Sequence, residues 1–519
     1  MLDLGTSFIA SVERDPNARA ICEGDLELTY EEWFARISAL VAGLDHLGLK
    51  SGDHVLTVLQ NSWENASLHW ACQFAGLIVT PLNWRAKADE VDHAIEDAEA
   101  RALVYEAATA EAVEQSQKAR HLLRLMAGEP GSDVASLNDL MDASAADAQP
   151  RARADDWSLM LYTSGTTSRP KGVPRRHHAE RAAAIAHVAQ NLYRHGECTL
   201  GVMPLYHTMG VRSLLASSVI GGAFVCLRRF DVADALAVIE RRGVTNLYLV
   251  PTLYHDIVHH PAFSKARVAS VTKIGYAGAP MTDGLTKKLV GAFAPELFVN
   301  HYGSSEVYTF TIDQNAAAKP GSAGRAGINQ RVRVVPLGAA SAAERAKPGE
   351  EGEIVASLLG DESFEGYWKR PEATEKALRD GWYFTGDTGF VDEAGDLFVT
   401  GRADDMIITG GENVSPVEVE SCLSLHPQVD EVAVVGLPDE RWGKVVTAFV
   451  RRSGEVKEAE LDAHCKRSGL ANFRRPRAYV FVEAIPKSPV GKLLRRMLVA
   501  GEYTPEASTA ERREPELSH

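Results

Sequence analysis

"YTSGTTSRPKG", residues 162–172, contains five serine and threonine hydroxyls, two glycines and one lysine, and almost nothing that a protein core could bury. Glycines let a backbone wrap around an anion, hydroxyl and N–H groups donate hydrogen bonds to it, and a lysine supplies the opposite charge. We therefore interpret the segment as a phosphate-binding loop. It differs from a Walker A loop, because Pro170 precedes Lys171 and Gly172 follows it, so no helix is encoded after the lysine. By itself the segment could also be a flexible surface turn.

The size and charge of the chain limit what this loop can belong to. With 519 residues, of which 45% are hydrophobic, the chain can form two or three packed units. Its 55 Lys+Arg and 70 Asp+Glu residues give a formal net charge of -15, which argues against a broad surface for nucleic acid. An anionic ligand must therefore be held by a local site.

Cysteine usage and hydropathy predict a cytoplasmic protein. The six cysteines are scattered and form no CxxC pair, which is typical of reduced thiols. The N-terminal stretch lacks a basic segment followed by an apolar run, and apolar stretches such as "LLASSVIGGAFVCL" (214–227) are too short to cross a bilayer. We expect neither a signal peptide nor a membrane partner.

Helical and strand-like patterns alternate along the chain. "TYEEWFARISALVAGLDHLG" (29–48) has helical spacing after a threonine N-cap, and "HVLTVLQ" (54–60) is typical of a buried strand. This alternation predicts an α/β fold with largely parallel sheets, in which ligand sites gather where strands end. A compact α+β unit follows from about residue 403, and the polar residues beyond 502 have little to bury, so we expect disorder there.

Five further polar segments could complete a nucleotide site, and we expect them to follow strand ends. The small side chains of "AGAP" would let a flat ring approach the backbone. Asp387 lies between glycines, where it could bind both hydroxyls of a ribose. Each could instead be an ordinary turn or surface group, but their joint occurrence argues against that reading. In chain order they are "AGAP" (277–280), "HYGSSE" (301–306), "YFTGDTG" (383–389), "GRADD" (401–405) and "PKSPVGKLLRR" (486–496).

With these segments the chain resembles the acyl-adenylate-forming (AMP-binding) superfamily, which comprises acyl-CoA synthetases, peptide-synthetase adenylation domains and luciferases. The resemblance runs from about residue 8 to about residue 500 and is strongest towards aryl-CoA ligases such as the chlorobenzoate and benzoate ligases. Ser168 is a departure, since it replaces the last glycine of the family loop T-S-G-T-T-G-x-P-K-G; we expect it to alter ATP affinity without abolishing activity. Further support comes from "PLYHTMG" (204–210), "DDMIITGGENVSPVEVE" (404–420), "DERWGKVVTAFV" (439–450) and "FRRPR" (473–477).

The resemblance implies both a fold and a reaction. It implies a large N-terminal adenylate-forming domain with parallel-rich sheets (1–403), a small mobile α+β C-terminal domain (404–502) and a disordered tail (503–519). Such an AMP-forming ligase would join a small aromatic or cyclic carboxylic acid to ATP as acyl-AMP. After rotation of the C-terminal domain about Asp404, it would transfer the acyl group to coenzyme A as a thioester. ATP, Mg²⁺ and coenzyme A are the implied cofactors and substrates.

The resemblance also implies residue roles. Lys492, His207 and Glu306 would be catalytic, with Lys492 serving adenylation, and Thr163 and Glu306 would place Mg²⁺. The implied ATP- and AMP-binding residues are Thr163, Ser164, Gly165, Thr166, Thr167, Lys171, Ala277, Gly278, Ala279, Tyr302, Gly303, Ser304, Ser305, Asp387 and Arg402. The implied CoA-binding residues are Gly410, Gly411, Glu412, Trp442, Phe473 and Arg475, the last three with a core or surface role as a serious alternative.

An acyl pocket is implied in the same way. Its residues are Ala186, His207, Thr208, Met209, Tyr248, Ala277, His301, Gly303, Tyr308 and Thr309. Tyr248 and His207 would close off a long tunnel, which disfavours long fatty acids. His301 and Tyr308 stand where apolar residues are usual, which favours a small ring acid carrying a hydroxyl, an amino group or a heteroatom. If Arg212 reached the pocket, a dicarboxylate would become credible; otherwise this arginine is paired elsewhere.

Several alternatives remain open at the level of the sequence. A short- or medium-chain or dicarboxylic acyl-CoA synthetase, an adenylation enzyme that loads a carrier protein, and a luciferase-like oxygenase share the pattern. The "GGEN" and "FRRPR" features favour free coenzyme A over a carrier. A catalytically silent nucleotide-binding regulator is a different class, and the presence of Lys171, Glu306, Asp387 and Lys492 argues against it. By resemblance, the protein would be a monomer or a homodimer.

Overall fold

The computed structural model of the protein describes residues 1–129, 134–163, 170–402, 405–488 and 491–506. Within these ranges three β-sheets are flanked by helices, and the smallest sheet belongs to the C-terminal part. The predicted α/β fold with a smaller α+β unit at its C-terminal end is confirmed. No helix in these ranges is both long enough and apolar enough to cross a membrane.

The first sheet carries the predicted phosphate-binding loop. Its strands are parallel except for the last pair, in which Thr163 is the cross-strand partner of Lys171. The loop therefore joins two antiparallel strands, and a strand follows the lysine, in agreement with the absence of a Walker A pattern. In spatial order the strands are Ala135–Ser136, Leu123–Ala127, Ala102–Glu106, His54–Val58, Ile78–Pro81, Trp157–Thr163 and Lys171–Arg176.

The second sheet has 14 strands and is mixed. At its centre Asn246–Leu249, Lys273–Tyr276 and Leu297–Tyr302 are parallel neighbours. Their C-terminal ends therefore place the segments that begin at 277 and 303 side by side, as strand-end sites require. In spatial order its strands are Val332–Val335, Gly352–Ser357, Trp382–Val391 (which also pairs with Leu378–Arg379), Leu397–Arg402, Ser322–Ala326, Thr311–Asp313, Leu297–Tyr302, Lys273–Tyr276, Asn246–Leu249, Cys198–Gly201, Ala223–Cys226, Arg19–Glu23 and Leu26–Thr29.

One expectation about strand ends is wrong. Asp387 and Arg402 do not follow parallel strands; they are cross-strand partners within the antiparallel pair Trp382–Val391 and Leu397–Arg402. The turn between these strands contains Gly395, whose φ of 89° favours glycine. A tight turn permits antiparallel pairing, whereas a parallel partner would need a long crossover. The acid and the arginine are therefore fixed opposite each other by the register of the sheet.

Helices cover the sheets, and their ends follow the expected capping chemistry. In Tyr30–His46, the side chain of Thr29 accepts the N–H of Glu32 and the Glu32 side chain returns to the Thr29 N–H, which confirms the predicted N-cap. The α-helices are Leu4–Arg14, Tyr30–His46, Trp63–Ala75, Ala88–Ala98, Ala110–Gln115, Leu137–Asp142, His177–Gln190, Thr208–Val219, Val232–Arg242, Pro251–His259, Asp283–Phe293, Pro371–Ala377, Pro416–Ser424, Glu458–Arg467 and Arg495–Val499.

The C-terminal unit has a sheet and a core of its own. The core includes Ile407, Val419 and Val434, and the helix Pro416–Ser424 lies next to the longest strand. The strands, in spatial order, are Glu412–Val414, Ile407–Thr409, Gly443–Arg452 and Val429–Asp439, with Ala478–Phe481 paired to the third. The exact boundary at residues 403 and 404 stays a prediction, because both lie outside the described residues.

The expected disorder from residue 503 onwards is wrong for the first four residues. The backbone N–H of Glu506 donates to Phe481 at 2.9 Å, and the Glu506 carboxylate accepts a hydrogen bond from Arg452 at 2.7 Å. Tyr503 also packs edge-on against Phe449, with 4.9 Å between the ring centres. An apolar ring and one acid are enough to hold this short segment against the sheet. Residues 507–519 lie outside the described residues.

Candidate active site

Asp387 lies at the centre of the candidate nucleotide site. Its Oδ2 accepts a hydrogen bond from the Tyr302 hydroxyl at 2.6 Å, and its Oδ1 accepts one from Nη1 of Arg402 at 3.1 Å. Burial raises the pKa of Asp387, while Arg402 and Tyr302 oppose that shift by stabilising the carboxylate. The structure thus brings together three residues that the sequence analysis assigned to ATP and AMP binding.

Glu306 lies close by and connects to the phosphate-loop lysine through a tyrosine. The Tyr367 hydroxyl donates to Oε1 of Glu306 at 2.7 Å, and Nζ of Lys171 lies 4.7 Å from the centre of the Tyr367 ring. Thr163, the cross-strand partner of Lys171, donates its hydroxyl to the Lys171 carbonyl at 3.4 Å. Hydroxyl and carboxylate oxygens are the ligands that Mg²⁺ prefers, so Thr163 and Glu306 fit a magnesium ion chemically. Ser304 shapes the turn before Glu306 by accepting its N–H at 3.2 Å.

Lys492 reaches this cleft from the C-terminal unit. A Cβ placed on Gly278 would lie 3.4 Å from Cε of Lys492 and 3.8 Å from Sδ of Met209, so the lysine passes beside the 277–280 turn and the acyl-pocket residues. The residue keeps contact with solvent. Withdrawal of its ammonium from water lowers the pKa of Lys492, and Asp387 and Glu306 oppose that change. The cation therefore belongs electrostatically to the same site as the two carboxylates.

Backbone and ionic contacts hold the C-terminal unit in this position. Oγ1 of Thr252 donates to the Gly491 carbonyl at 3.1 Å. Gly491 has a φ of 79°, and a Cβ there would lie 2.4 Å from Thr252 Oγ1, so a glycine is needed beside the lysine. Nε2 of His255 pairs with Asp430 at 2.9 Å. Although burial opposes the change, the hydrogen bonds to Asp256 and Asp430 raise the pKa of His255 to about 9, so this pair is ionic at neutral pH.

His207 caps the helix Thr208–Val219 next to the lysine. Its Nδ1 accepts the N–H of Met209 at 3.3 Å, so the ring proton lies on Nε2. Burial, reinforced by the charges of Lys492 and Arg212, lowers the pKa of His207 to about 3. The imidazole is therefore neutral at any physiological pH and can donate one hydrogen bond from Nε2.

Most of the predicted acyl-pocket residues adjoin one another on the far side of His207. The rings of Tyr248 and His301 pack with 4.9 Å between their centres, and both side chains are buried. Thr208, Met209 and Ala277 are buried near the lysine, and the carbonyl of Tyr308 approaches Gly303 so closely that a Cβ would lie 2.1 Å from it. Ala186 lies on the helix His177–Gln190, and its side chain also lines a surface cavity.

Arg212 also belongs to this group. Its Nη1 donates to Thr309 Oγ1 at 2.7 Å and to the Tyr308 carbonyl at 3.2 Å, and its Nη2 donates to the Tyr248 hydroxyl. The guanidinium thus reaches three residues that the resemblance assigned to the acyl pocket. Arg212 therefore reaches the predicted acyl-pocket residues, and its hydrogen-bond partners are those same residues.

The structure does not bring the predicted CoA-binding residues into the cleft. Gly410, Gly411 and Glu412 form an exposed turn in which the Gly410 N–H donates to the Trp442 carbonyl at 2.9 Å. Arg475 pairs with Asp462 at 3.2 Å, and Phe473 packs against the C-terminal core. Both residues therefore have contacts that fit the alternative of a core or surface role. The hinge candidate Asp404 and the loop residues Ser164, Gly165, Thr166 and Thr167 lie outside the described residues.

Several residues that shape the site escaped the sequence analysis. Tyr367 links Lys171 to Glu306, Thr252 binds the backbone next to Lys492, and Arg175 donates to the Glu306 carbonyl at 3.0 Å. Asn191 joins His187 to His301. The aromatic pair at 367–368 beside basic residues could have served as a signal. Thr252, Arg175 and Asn191 are ordinary polar residues, and their contacts with Gly491, Glu306 and His301 each span more than 100 positions.

A nucleotide cleft that receives a lysine from a separate C-terminal unit defines an adenylate-forming enzyme. The chain belongs to the family of AMP-binding enzymes: the family model matches residues 8–368, and that of the AMP-binding enzyme C-terminal domain matches residues 418–492.

Curated relatives span nearly the whole chain. The chain is 34% identical to a 4-chlorobenzoate–CoA ligase of Arthrobacter sp. (94% of this chain, 93% of the relative) and 34% identical to a feruloyl-CoA synthase of Amycolatopsis sp. (95% and 97%). It is 32% identical to the long-chain-fatty-acid–CoA ligase FadD13 of Mycobacterium tuberculosis (91% and 93%). The relatives therefore differ among themselves in the acid that their names state.

Solved structures agree with this family membership. ATP-bound MatB from Rhodopseudomonas palustris superposes with a TM-score of 0.85 at 28% identity, covering 96% of this chain and 99% of that one. The anthranilate CoA ligase AuaEII in complex with anthranoyl-AMP superposes with a TM-score of 0.88 at 25% identity, covering 96% and 97%. One of these neighbours holds ATP and the other an acyl-AMP.

Tyr302→Phe tests the role of the Tyr302 hydroxyl at Asp387. If the Asp387 carboxylate binds the ribose, the KM for ATP of the wild type rises as the pH falls through the raised pKa of Asp387. Loss of the hydroxyl removes a donor that stabilises the carboxylate, so this rise should begin at a higher pH in the variant. Asp387→Asn is the control and should bind ATP weakly at every pH. If the KM for ATP of Asp387→Asn still rose at low pH as in the wild type, another group would be responsible.

Proposed function

We propose that this protein is an AMP-forming carboxylate–CoA ligase that acts on a small aromatic or cyclic acid. The observation that carries the proposal is the position of Lys492 beside the turn at 277–280, within electrostatic range of Asp387 and Glu306. A cation from the C-terminal unit and carboxylates from two distant chain segments suit a ligand with a ribose, phosphates and a reacting carboxylate. Family membership supports the same reading.

In the first half-reaction, a carboxylate oxygen of the acid attacks the α-phosphorus of ATP, and the bond to the pyrophosphate oxygen breaks. The protein contributes little covalent chemistry, so orientation and charge stabilisation account for its effect. Lys171 would hold the β- and γ-phosphates and Lys492 would bridge the substrate carboxylate and the forming adenylate. Neutral His207 would orient the carboxylate through Nε2–H. Mg²⁺, held by Thr163 and Glu306, would neutralise charge on the phosphates.

In the second half-reaction, the thiolate of coenzyme A attacks the acyl carbon, and AMP leaves with the electron pair of the mixed anhydride. Gly410, Gly411 and Glu412 are exposed here, and Lys492, although also exposed, lies beside Gly278 at the cleft. We infer that this arrangement serves adenylation. Rotation about Asp404 would then withdraw the lysine and present the 410–412 turn to the pantetheine arm.

The choice of acid follows from the residues around Tyr248. This ring is 1% exposed, and Arg212 binds its hydroxyl, so a large apolar tunnel beyond it is disfavoured. The polar groups His301, Thr309 and Arg212 suit a compact acid with a polar substituent. An anthranilate ligase and a 4-chlorobenzoate ligase among the similar proteins support an aromatic ring.

The alternative functions predict different results in simple assays. A ligase releases pyrophosphate only when a carboxylate is supplied and releases AMP only when coenzyme A is added. An enzyme that loads a carrier protein would show the first dependence without the second, and a silent regulator would show neither. Absence of carboxylate-dependent pyrophosphate release over a panel of aromatic, cyclic, short-chain and dicarboxylic acids would refute the proposal.

Lys492→Ala separates the two half-reactions. We expect acyl-AMP formation to fall on the order of 100- to 1000-fold, as when a single charge-stabilising donor is removed. The consumption of a chemically supplied acyl-AMP by coenzyme A should persist, because the lysine is withdrawn in that step. Lys466→Ala, which removes an exposed lysine of the same unit, is the matched control and should leave both rates unchanged. Equal loss of both half-reactions in folded Lys492→Ala would contradict the two-position scheme.

Gly410→Ala tests the predicted CoA-binding turn. Gly410 has a φ of 58°, and its added Cβ would lie 2.8 Å from Cε3 of Trp442, so the turn must shift. We expect thioester formation to slow about tenfold or more, while acyl-AMP formation is retained. Gly469→Ala provides the control, because Gly469 has a φ of 77° in the same unit but faces open space. If the two variants slowed the CoA step equally, backbone strain rather than the turn would be the cause.

A further inference from the structure

A buried polar cluster is formed by Arg212 and residues that the resemblance assigned to the acyl pocket. We call it the Tyr248 cluster and define it by Arg212, Tyr248, His301 and Thr309, each 2% exposed or less. The guanidinium carbon of Arg212 lies 5.1 Å from the centre of the Tyr248 ring, and the His301 ring centre lies 4.9 Å from it. Arginine and histidine thus flank one aromatic ring inside the protein.

Arg212 leaves one hydrogen-bond donor of this cluster without a partner. Nη1 and Nη2 are occupied by Thr309, the Tyr308 carbonyl and the Tyr248 hydroxyl. Nε, in contrast, is buried, and no described residue accepts its proton. A buried donor without a partner is unfavourable, so a ligand group that accepts from it gains binding energy.

His301 leaves an acceptor without a partner. Its Nε2 lies 3.1 Å from Oδ1 of Asn191, which can only accept, so Nε2 carries the proton. The Asn191 amide is oriented in turn by its Nδ2, which donates to the His187 carbonyl at 2.7 Å and to Nδ1 of His187 at 3.0 Å. Nδ1 of His301 is therefore an unprotonated acceptor, and no described residue donates to it. Burial and the nearby Arg212 keep the pKa of His301 well below its usual range, so the ring is neutral.

Around the same ring, Arg212 Nε and His187 Nε2 are donors without a partner among the described residues, and His301 Nδ1 is an acceptor without one. A donor and an acceptor together complement a hydroxyl group. We propose that Arg212 and His301 bind a hydroxyl on the ring of the substrate, with Arg212 Nε donating to its oxygen and His301 Nδ1 accepting its proton. The proposal rests on the proposed ligase function and narrows its substrate class to hydroxyaryl acids. Desolvated polar groups of this kind select strongly, because a substrate without the hydroxyl leaves them unpaired.

A second carboxylate on the substrate fits the cluster less well. An ionised carboxylate can accept from Arg212 but cannot donate to Nδ1 of His301. The surroundings already contain two buried carboxyl groups for the two buried guanidinium groups, since Glu180 pairs with Arg175 at 2.8 Å and Glu362 faces Arg212 through Thr309. A third buried carboxylate would have no cation of its own.

Two other polar groups of the pocket are already engaged. The Tyr308 hydroxyl donates to Glu180 at 3.0 Å, and Thr309 Oγ1 accepts from Arg212 at 2.7 Å. An amino substituent could donate to His301 but is a poor acceptor for Arg212. It should therefore rank between a hydroxyl and a halogen.

The test measures kcat/KM for acid-dependent pyrophosphate release by the full-length enzyme with ATP and Mg²⁺. The matched sets are benzoate with its 2-, 3- and 4-hydroxy, amino and chloro derivatives, cinnamate with 4-hydroxycinnamate, and the three benzenedicarboxylates. We expect at least one hydroxy acid to exceed its unsubstituted and chloro analogues by about 100-fold or more, with the amino analogue between them.

His301→Leu removes the acceptor and places an apolar side chain there. The preference for the hydroxy acid should fall below about tenfold, while the unsubstituted acid is used at least as well as by the wild type. Tyr254→Phe is the matched control: it removes a buried hydroxyl that donates to the Leu247 and Gly275 carbonyls, so the preference should remain. Arg212→Met repeats the test on the donor, and thermal unfolding checks that each variant is folded.

The outcomes separate this inference from the function on which it rests. Comparable values for hydroxy, chloro and unsubstituted acids, a preference for a dicarboxylate, or a hydroxyl preference that survives in folded His301→Leu would overturn the hydroxyl site and leave the ligase intact. A lack of pyrophosphate release with every acid, including short-chain and cyclic ones, would overturn the ligase function itself and the inference with it.

Discussion

The ammonium group of Lys492 is the element on which the arrangement of the cleft depends. This cation comes from the small unit, and it lies within electrostatic range of Asp387 and Glu306, which belong to the large unit. Because the lysine sits on a separate sheet-and-helix unit, the same protein can supply the charge for one step and remove it for the next. The contact of Thr252 with Gly491 and the pair of His255 with Asp430 also join the two units.

The nucleotide side of the cleft shows how partly buried acids are kept ready to accept hydrogen bonds. Tyr302 donates to Asp387 and Tyr367 donates to Glu306, so each carboxylate has a phenolic donor oriented towards it. At Asp387 this donor and Arg402 oppose the effect of burial, which by itself would favour the protonated and useless form. The antiparallel register that pairs positions 387 and 402 gives this balance a rigid frame.

On the acyl side of the cleft, the decisive property is whether each buried polar group has a hydrogen-bond partner. Buried arginine and histidine are costly unless their donors and acceptors are matched, and a core of aliphatic side chains would have filled the same volume at lower cost. The Tyr248 cluster matches most of its own groups but leaves Arg212 Nε and His301 Nδ1 unpaired among the described residues. A site of this kind rejects a substrate that leaves its buried polar groups without partners, in addition to favouring one that pairs with them.

The sequence by itself determined the fold class, the family and the order of the site segments along the chain, because hydrophobic periodicity and glycine-rich polar turns are local properties. It also excluded a Walker A loop, because Pro170 and Gly172 surround Lys171. It misplaced Asp387, since whether a strand pairs parallel or antiparallel depends on the turn that follows it. Only the tertiary structure decided that Arg212 meets Tyr248, that Asn191 sets the tautomer of His301 and that Tyr367 joins Lys171 to Glu306. These pairs are long-range, and hydrogen-bond matching between them depends on packing that no local pattern encodes.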